Sequence, residues 1–541
     1  MAPPERKRRR RLIVLGVAVA LLVLAGGAAA FVVLNQPEDI SNPDVEFRAE
    51  QPAAEPEEEE LEPEATATPG KKAKRVREVD RFIWAHYGYT RDRRRYLPLK
   101  RPLHPPYREI WQFQGSVLLE FPPVIGGKRL YLLNDNGRLI SVHKHTGARR
   151  WSRKLGALAA ASPAYADGTV YVVLLQRANG GPGADGGRVV SLDGKTGKVK
   201  WSRELASRSE SSPLVDGDTL YFGSENGTVY AMNARTGDVR WRFRADGAVK
   251  GGLALSDGRL FFGDYGGRAY AIRASDGGQV WKTGTSGGRL GLSGGNFYST
   301  PAVAYGRVYM GNTDGRMYSF SASGGQIAWS RSTGGYVYAS PAVAAVPGYP
   351  PTVYFGSYSG RFYALDARNG SERWSRGGYG RISGGATVIG DIVFFSDLGN
   401  RRSYGLGART GRQVFEHERG SYNPAVSDGE TIFLVGYHAM YALQPLTGAQ
   451  MQARRKARRA KAARARTDKR FCRERARKAH RGEQRAQRRS TRRCVARKAR
   501  VQQASKRAEC RKRARELHGK REKKVARSYR RCVDRRNIGG R

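Results

Sequence analysis

Residues 211–241 read SSPLVDGDTLYFGSENGTVYAMNARTGDVRW, and this stretch contains the pattern that decides the fold. Residues 220–222 and 229–232 are short runs of aromatic and aliphatic residues, which favour β-strands. Residues 225–227, Glu-Asn-Gly, stand between the two runs and are typical of a tight hairpin turn. The stretch therefore predicts a small antiparallel sheet that ends at Trp241.

The same unit recurs along the chain. Tryptophans follow one another at intervals of 40 to 50 residues, at Trp111, Trp151, Trp201, Trp241, Trp281, Trp329 and Trp374. Phe415 takes the next position, and a glycine stands four residues before each aromatic residue from Trp151 onward. We expect an eighth such turn at Thr447-Gly448. A period of this length with regular turn residues is typical of propellers, and eight units of four short strands close into a ring without exposed sheet edges. The sequence predicts an all-β, eight-bladed β-propeller of four-stranded antiparallel blades over residues 84–451.

Two units show a family resemblance most clearly. Residues 229–241 (VYAMNARTGDVRW) and 362–374 (FYALDARNGSERW) resemble the tryptophan-docking repeat of the PQQ-like, or quinoprotein-type, β-propellers. The resemblance implies that each tryptophan docks on a neighbouring blade and that an aspartate near the turn fixes the hairpin. These structural roles fall on Trp151, Trp201, Trp241, Trp281, Trp329, Trp374, Asp193 and Asp366. The pattern departs from the family at Phe415, which replaces tryptophan, and at Gly324, which stands where threonine is usual.

This superfamily contains two functional classes, quinone-dependent alcohol and sugar dehydrogenases and cofactor-free envelope scaffolds. The dehydrogenases need a calcium ion held by oxygen ligands, a base and a platform for the cofactor. Many of the alcohol dehydrogenases also place two adjacent cysteines against the cofactor, whereas all four cysteines here lie beyond residue 470. We expect no catalytic residue and no cofactor. Pyrroloquinoline quinone and calcium belong only to the alternative, a dehydrogenase anchored outside the membrane.

Two short motifs suggest metal ligands without completing a site. Residues 134–137, Asn-Asp-Asn-Gly, lack the later glutamate of a calcium loop and are better interpreted as a hairpin turn. His143 and His145 are two apart and could share one face of a strand, which is half of a metal site. The sequence offers no further ligands for them, so we predict no metal.

The amino terminus indicates export. Residues 12–34 form an uncharged apolar run long enough to cross a bilayer as a helix, and residues 1–11 carry six Lys and Arg residues against one Glu. We predict a cytoplasmic segment (1–11), a single transmembrane helix (12–34) and an extracytoplasmic body. A signal peptide cleaved near 28–30, Ala-Ala-Ala, is the alternative. Residues 35–83, acidic and Pro-rich and then basic, predict an extended stalk.

The carboxyl terminus carries most of the net charge of +49. Residues 452–541 contain 39 Lys and Arg residues against seven acids, in helix-favouring sequence that repeats with an offset of 38 residues. We expect a helical or disordered tail, ordered only with a partner or with disulfides made. If each half folds back at its central glycine, the pairs are Cys472 with Cys494 and Cys510 with Cys532.

Partners follow from topology and charge. Outside the membrane, such a tail would bind anionic wall polymers or lipid headgroups, and we do not expect nucleic acid as a physiological partner. Loop insertions suggest contacts with envelope proteins, and the amphipathic set Arg289, Leu290, Leu292, Phe297 and Tyr298 is the candidate partner loop. The aromatic and basic segment 84–107 is expected to pack on the propeller. The sequence thus predicts a membrane-anchored, non-catalytic envelope scaffold.

Overall fold

The computed structural model describes residues 39–49, 77–115, 117–176, 186–285, 294–420, 422, 425–480 and 483–518. The chain divides into two compact units, Met1–Pro445 and Leu446–Arg541. The first is built from strands and the second from two long helices. The predicted transmembrane helix, residues 12–34, lies outside the described residues. Within the part of the chain that is described, no helix is both long and apolar enough to span a bilayer.

Four strands precede the first complete blade. They are β1 (Ile40–Ser41), β2 (Ile83–Trp84), β3 (Tyr96–Leu97) and β4 (Tyr107–Gln114). A short 3-10 helix, Glu78–Asp80, lies between β1 and β2. Three of these strands extend blades that the rest of the chain builds: β1 pairs with blade 5, β2 with blade 1 and β3 with blade 7. β4 is an integral strand of blade 8.

Seven blades are continuous in sequence, and the chain makes the four strands A to D of each blade in order from the axis outward. Blade 1 comprises β5 (Val124–Gly126), β6 (Arg129–Asn134), β7 (Arg138–His143) and β8 (Arg149–Lys154). Blade 2 comprises β9 (Ala164–Ala166), β10 (Thr169–Leu174), β11 (Arg188–Asp193) and β12 (Val199–Glu204). Blade 3 comprises β13 (Leu214–Asp216), β14 (Thr219–Gly223), β15 (Thr228–Asn233) and β16 (Val239–Arg244). Blade 4 comprises β17 (Ala254–Ser256), β18 (Arg259–Gly263), β19 (Arg268–Arg273) and β20 (Gln279–Gly284).

The second half of the ring repeats the arrangement. Blade 5 comprises β21 (Ala302–Ala304), β22 (Arg307–Gly311), β23 (Arg316–Ser321) and β24 (Ile327–Ser332). Blade 6 comprises β25 (Ala342–Ala344), β26 (Thr352–Gly356), β27 (Phe362–Asp366) and β28 (Glu372–Arg376). Blade 7 comprises β29 (Thr387–Ile389), β30 (Ile392–Asp397), β31 (Arg402–Gly407) and β32 (Gln413–His417). Blade 8 comprises β33 (Val426–Ser427), β34 (Ile432–Val435), β35 (Ala439–Pro445) and, as its D strand, β4.

The ring closes by pairing the two ends of the propeller sequence. β4 pairs antiparallel with β35, and Trp111 stands opposite Ala442. The last blade therefore takes its outer strand from a segment more than 300 residues earlier, so blade 8 is completed only when the two ends of the propeller sequence meet. The predicted eight-bladed propeller of four-stranded antiparallel blades is confirmed.

Alternation of strand direction sorts the connections onto two faces. The loops from each D strand to the next A strand, and the B-to-C hairpins, lie on what we call the loop face. The A-to-B and C-to-D turns lie on the opposite face, which we call the turn face. The apolar core lies between the blades: one cluster joins Val173 and Trp201 of blade 2 to Phe222 and Met232 of blade 3.

The predicted stalk, residues 35–83, is not extended throughout. Residues 39–49 lie against the outer edge of blade 5, where β1 pairs with β24. Toward the end of the segment, Val79 is buried and Ile83 pairs with Gly126 of blade 1. The low apolar content of the segment favours an extended chain, but the blade edges supply hydrogen-bond partners that an isolated chain lacks.

The second unit contains two helices, α1 (Gly448–Ala479) and α2 (Gln484–His518), so the described part of the tail is helical. Thr447 does not form an eighth blade turn as expected, because it is the N-cap of α1. Its hydroxyl accepts a hydrogen bond from the amide of Gln450, and the Gln450 side chain accepts one from the amide of Thr447.

A disulfide joins the two helices. Cys472 and Cys494 are bonded, with their Cα atoms 5.7 Å apart. Asp468 on α1 accepts hydrogen bonds from Lys498 at 2.9 Å and from Gln502 at 3.2 Å, both on α2. Cys510 is also disulfide-bonded, while its predicted partner Cys532 lies outside the described residues.

Candidate functional site: the propeller axis and its loop face

The docking tryptophans set the geometry of the ring. In each case the indole N–H donates to a carbonyl oxygen at the C-to-D turn of the next blade, at 2.8–3.1 Å. The pairs are Trp111 with Lys144, Trp151 with Gly194, Trp201 with Ala234, Trp241 with Ala274, Trp281 with Ala322, Trp329 with Ala367 and Trp374 with Ala408. These tryptophans therefore have a structural role, since each docks one blade onto the next.

Two further features fit each tryptophan to its neighbour. The turn glycine of the next blade lies flat against the indole, so a Cβ on Gly370 would stand 2.7 Å from the ring of Trp329. A small residue also faces each docking ring across its own blade, as Ala364 faces Trp374. The spacing of the turn glycines is evident in the sequence, whereas the role of these small residues becomes apparent only in the paired strands. The sequence signal for them is a Ser, Ala or Gly that stands ten residues before each docking-position aromatic residue from Trp151 to Phe415.

Phe415 departs from the tryptophan pattern for a topological reason. Blade 8 takes its C and D strands from opposite ends of the propeller sequence, so it has no C-to-D turn on which an indole could dock. Phe415 packs instead edge-on against Tyr107, with ring centroids 5.1 Å apart. The missing tryptophan therefore marks the seam of the ring.

The two predicted aspartates fix turns. Asp193 Oδ1 accepts hydrogen bonds from the amide and hydroxyl of Thr196, each at 2.7 Å. Asp366 accepts from the amide of Arg368 at 2.7 Å and from the guanidinium of Arg373 at 2.6 Å. Both side chains close the C-to-D turns into which the tryptophans dock.

The propeller axis is occupied by the chain's own residues 83–97, which we call the axial segment. It runs around the inside of the ring, and the central amide of each A strand from blade 2 to blade 7 donates a hydrogen bond to it, at 2.8–3.2 Å. The donors are Tyr165, Val215, Leu255, Val303, Val343 and Val388. The acceptors, in the same order, are Ala85 O, His86 Nε2, Arg91 O, Asp92 O, Arg94 O and Arg95 O.

Arg93 anchors this segment at the centre. It is fully buried, and its guanidinium donates to the carbonyl oxygens of Tyr87 at 2.6 Å, Leu253 at 2.8 Å and both Ser212 and Pro213 at 3.1 Å. Burial, followed by the charge of Arg95, lowers the pKa of Arg93 to about 9. The group therefore stays charged at neutral pH, held mainly by carbonyl dipoles.

The backbone of the axial segment is strained. Tyr89, Arg93 and Arg95 adopt positive φ angles of 77°, 58° and 54°. Such conformations cost about 1–2 kcal/mol each for residues with a Cβ, and they persist only where the surroundings over-determine them. Here the hydrogen bonds from six successive blades hold the backbone of the segment in these conformations. The segment is thus a built part of the propeller.

A small cavity lies on the axis between this segment and the loop face. Its volume is about 40 Å³, and Tyr87, Glu120, Glu210, Lys250 and Tyr298 are among its lining residues. That volume holds about three water molecules, whereas sites for drug-sized ligands measure about 300–1,000 Å³. The cavity has no room for a tricyclic cofactor.

The charges in this cavity are partly compensated. Lys250 Nζ lies 2.9 Å from Glu210 Oε1 and 3.2 Å from Glu225 Oε1, and the Tyr298 hydroxyl donates to Glu210 at 2.8 Å. Burial alone would raise the pKa of Glu210, but the hydrogen bond and charge of Lys250 hold it below its ordinary value. Burial, then the charges of Asp135 and Glu210, raise the pKa of Glu120 to about 7.

A second, more open cavity of about 530 Å³ lies on the turn face, between the axial segment and blades 3 and 4. Three carboxylates line it, those of Asp92, Asp216 and Asp257. Each is paired with an arginine: Asp216 with Arg91, which also lines the cavity, Asp92 with Arg94 at 2.6 Å and Asp257 with Arg48 at 4.0 Å. Among the described residues no three His, Cys, Asp or Glu side chains are grouped as a metal site would require.

Two residues of the predicted partner loop, Phe297 and Tyr298, are described by the structure. Phe297 is fully buried and packs edge-on against Tyr318 and Phe320, so its assignment to a surface contact is wrong. Tyr298 lines the axial cavity. Arg289, Leu290 and Leu292 lie outside the described residues. The alternation of polar and apolar residues did not reveal that Phe297 fills the space left by Gly263, where a Cβ would stand 2.3 Å away.

The histidines do not form a metal centre within the described residues. The rings of His143 and His145 lie edge-on with centroids 5.6 Å apart, and His145 Nε2 is 2.5 Å from Asp80 Oδ1. Asn134 accepts a hydrogen bond from the amide of Arg138 at 2.9 Å, so residues 134–137 form the hairpin turn that the sequence indicated.

Solved structures share this architecture at low sequence identity. BamB from Moraxella catarrhalis is 16% identical with a TM-score of 0.50, over 63% of this chain and 98% of that one. Quinohemoprotein alcohol dehydrogenase ADHIIG from Pseudomonas putida HK5 is 15% identical with a TM-score of 0.56, over 68% and 81%. The quinohemoprotein alcohol dehydrogenase from Comamonas testosteroni is 14% identical with a TM-score of 0.54, over 68% and 82%. These likenesses establish the fold alone.

The family is established by sequence. No curated protein matches the chain significantly. A family model described as outer membrane protein assembly factor BamB matches residues 105–244 and 225–454, which together span well over half of the chain. The two matches cover β4 and all eight blades, which are the elements that carry the docking repeat. The chain therefore belongs to this family of PQQ-like repeat propellers.

Proposed function

We propose that this protein is a non-catalytic scaffold of the cell envelope, anchored in the membrane by residues 12–34, with the propeller and tail outside. The observation that carries the proposal is the filled axis. Residues 83–97 line the centre of the ring, where propellers have a central channel, and the adjoining cavity measures about 40 Å³. The family description, outer membrane protein assembly factor BamB, supports the same class of function.

The loop face is the proposed partner surface. Two of the three longest insertions, 177–187 and 283–298, occur in connections of that face. Tyr437 in a hairpin of blade 8 is 39% exposed, and Arg401 of blade 7 stacks over its ring at 5.2 Å. Exposed aromatic and arginine side chains are enriched where proteins bind one another.

The tail is proposed to bind anionic envelope polymers. The sequence of α1 and α2 is rich in Arg and Lys, its apolar residues are mostly alanines, and the disulfide between Cys472 and Cys494 holds the two helices together. Two cationic helices side by side double the local charge density, which strengthens binding to polyanions and makes it depend on salt.

Site-specific photo-crosslinking in cells tests the scaffold. A photoreactive residue would replace Tyr437 on the loop face, and a matched control would replace Lys195, which is exposed in a turn on the opposite face. We expect Tyr437 to give a discrete cross-link to an envelope protein that Lys195 does not give. Equal patterns from both positions, or no discrete product from either, would contradict the loop face as the partner surface.

A further inference from the structure

Residues 39–49, which we call the strap, run along the outer edge of blade 5. Ile40 pairs with Ser330, the amide of Asn42 donates to Ala328 at 2.7 Å, and the amide of Arg48 donates to Tyr305 at 3.1 Å. Ser332 ends the D strand at the loop face, and its amide donates to Asp39 at 2.9 Å, while Tyr305 lies in a turn of the opposite face. The chain therefore arrives at blade 5 from its loop face.

The strap is held by buried groups of the blade. Arg316 is 2% exposed and donates to the carboxylate of Asp39 at 2.7 Å. Arg307, 1% exposed, donates to the carbonyl oxygens of Glu46 at 2.5 Å and of Val45. The ring of Phe47 stacks on Tyr305 at 5.5 Å. Charge-assisted hydrogen bonds to buried guanidinium groups fix the strap to the propeller.

The start of the strap lies close to the proposed membrane span. Asp39 follows residue 34 by five positions. Five residues reach at most about 17 Å when fully extended, and the headgroup layer takes up about 5–8 Å of that distance. The loop-face end of blade 5 is therefore within about 10 Å of the outer membrane–water boundary, far closer than a stalk of some 50 residues would place it.

A cluster of aromatic and basic side chains lies on the loop face in this sector. Tyr336 is 53% exposed, and its ring lies 5.9 Å from that of Tyr338 and 6.3 Å from that of Tyr358. Arg361 and Arg381 are exposed in neighbouring loop-face connections of blades 6 and 7. We call these five residues the tyrosine patch.

The composition of the patch suits a lipid surface. Tyrosines are enriched at the headgroup level of membranes, because the ring packs against acyl chains while the hydroxyl stays in water. Arginines next to them attract anionic headgroups, at about 1 kcal/mol for each basic side chain near the surface. The patch lies beside the blade that the tether holds near the bilayer, so contact needs no rearrangement of the fold.

We propose that the propeller rests on the membrane with the loop face of blades 5 to 7 against the lipid, the tyrosine patch lying in the headgroup layer. This inference rests on the membrane anchor of the proposed function. In this orientation the rest of the loop face, including the proposed partner surface, faces proteins that lie at or in the same membrane.

The test uses the full chain reconstituted into phosphatidylcholine vesicles with about a quarter phosphatidylglycerol and a nitroxide-labelled headgroup lipid. A fluorescent amino acid replaces Tyr336 in one sample and Lys195, on the turn face, in the matched control. We expect quenching at position 336 to exceed that at position 195 several-fold. Equal quenching of the two probes in a membrane-embedded protein would overturn the proposed orientation.

Extraction of the same vesicles with alkaline carbonate separates the two proposals. A chain that carbonate releases would contradict the membrane anchor itself. A chain that stays in the bilayer but shows equal quenching would contradict only the orientation. The double variant R361Q/R381Q should reduce quenching at position 336 while leaving the thermal transition of the propeller unchanged. Undiminished quenching in a folded double variant would overturn the role of the arginines.

Discussion

The carbonyl oxygen of Ala85 accepts a hydrogen bond from the amide of Tyr165 at 2.8 Å, and this contact is one of a series. The inner strands of propeller blades present amides toward the axis, and an amide buried there without a partner costs about 1–3 kcal/mol. The axial segment satisfies one amide from each of six successive blades. Its position supplies the acceptors that these amides need, and the cavity between it and the loop face measures only about 40 Å³.

Arg93 tests the contribution of the axial segment to stability. The variant R93K keeps the charge, but an ammonium group cannot reach all four carbonyl oxygens that the guanidinium contacts. We expect a loss of about 2–4 kcal/mol in the stability of the propeller, because buried acceptors lose their donors. All eight tryptophans lie between residues 84 and 374, so tryptophan fluorescence during thermal unfolding reports on the propeller alone.

The matched control is R101K, at an exposed position just beyond the axial segment. It should shift the unfolding temperature by an amount within the error of the measurement. An R93K protein as stable as the control would show that the axial segment contributes little to the ring.

Gly370 tests the docking of Trp329. The variant G370A would place a Cβ 2.7 Å from the indole at a φ of +71°. The matched variant G168A has the same φ of +71° but meets nothing within 4 Å. Both pay about 1–2 kcal/mol for a left-handed residue with a Cβ, and G370A alone adds about 1–3 kcal/mol for the clash. The unfolding temperatures of the two variants, read by tryptophan fluorescence, give the difference; equal losses would refute close packing at this interface.

Much of the fold could be predicted from sequence because its repeat is local. The spacing from turn glycine to tryptophan is constant from Gly147 to Trp374, so the same sequence pattern identifies each of these blades. The sequence predicted that residues 84–107 pack on the propeller, and the axial segment confirms it. The path of that segment around the ring and the place of the strap on blade 5 could not be predicted, because both depend on carbonyl and amide partners more than 40 residues away. The periodic pattern of residues reports on local structure and does not reveal distant hydrogen-bond partners. Phe297 was misassigned for the same reason, since the space it fills is created by a glycine in another strand.

The candidate site was still less accessible to sequence reasoning. Glu120, Glu210 and Lys250 come from three different loop-face connections, and only ring closure brings them together. Nothing near Glu120 in sequence indicates that Glu210 is its neighbour. The sequence could suggest only that the loop face carries insertions.

Glu120 predicts an unusual dependence of stability on pH. Its pKa is raised from an ordinary 4.5 to about 7 by burial and by neighbouring acids, so the folded state binds its proton more tightly than the unfolded state does. The stabilisation is complete below about pH 4.5 and is lost as the pH rises through about 7. E120Q should therefore be more stable than the unmodified protein at pH 8, by about 1–3 kcal/mol, with little difference at pH 5.

The control for this prediction is E418Q, at an exposed carboxylate on the loop face. Thermal unfolding of the three proteins between pH 5 and pH 8 checks the sign. A gain from E120Q that is the same at both pH values would rule out titration of Glu120 as the cause.

The tail disulfide predicts a local effect of reduction. Breaking the bond between Cys472 and Cys494 frees a loop of 22 residues, and such a cross-link contributes about 3 kcal/mol to the stability of the closed form. The double variant C472S/C494S should show faster hydrogen exchange in α1 and α2, with no change in the blades. Exchange that is as slow as in the oxidised chain would show that Asp468, Lys498 and the helix contacts suffice.

The most direct test of the account is a titration of the purified full chain with pyrroloquinoline quinone and calcium, followed by cofactor absorbance and by the unfolding temperature. A ligand present at a hundred times its Kd stabilises the folded state by about 2.7 kcal/mol, so specific binding would be visible. With the axial segment in place and about 40 Å³ beside it, we expect neither saturable binding nor a shift in unfolding temperature. Saturable, calcium-dependent binding that raises the unfolding temperature would contradict the scaffold and restore the dehydrogenase.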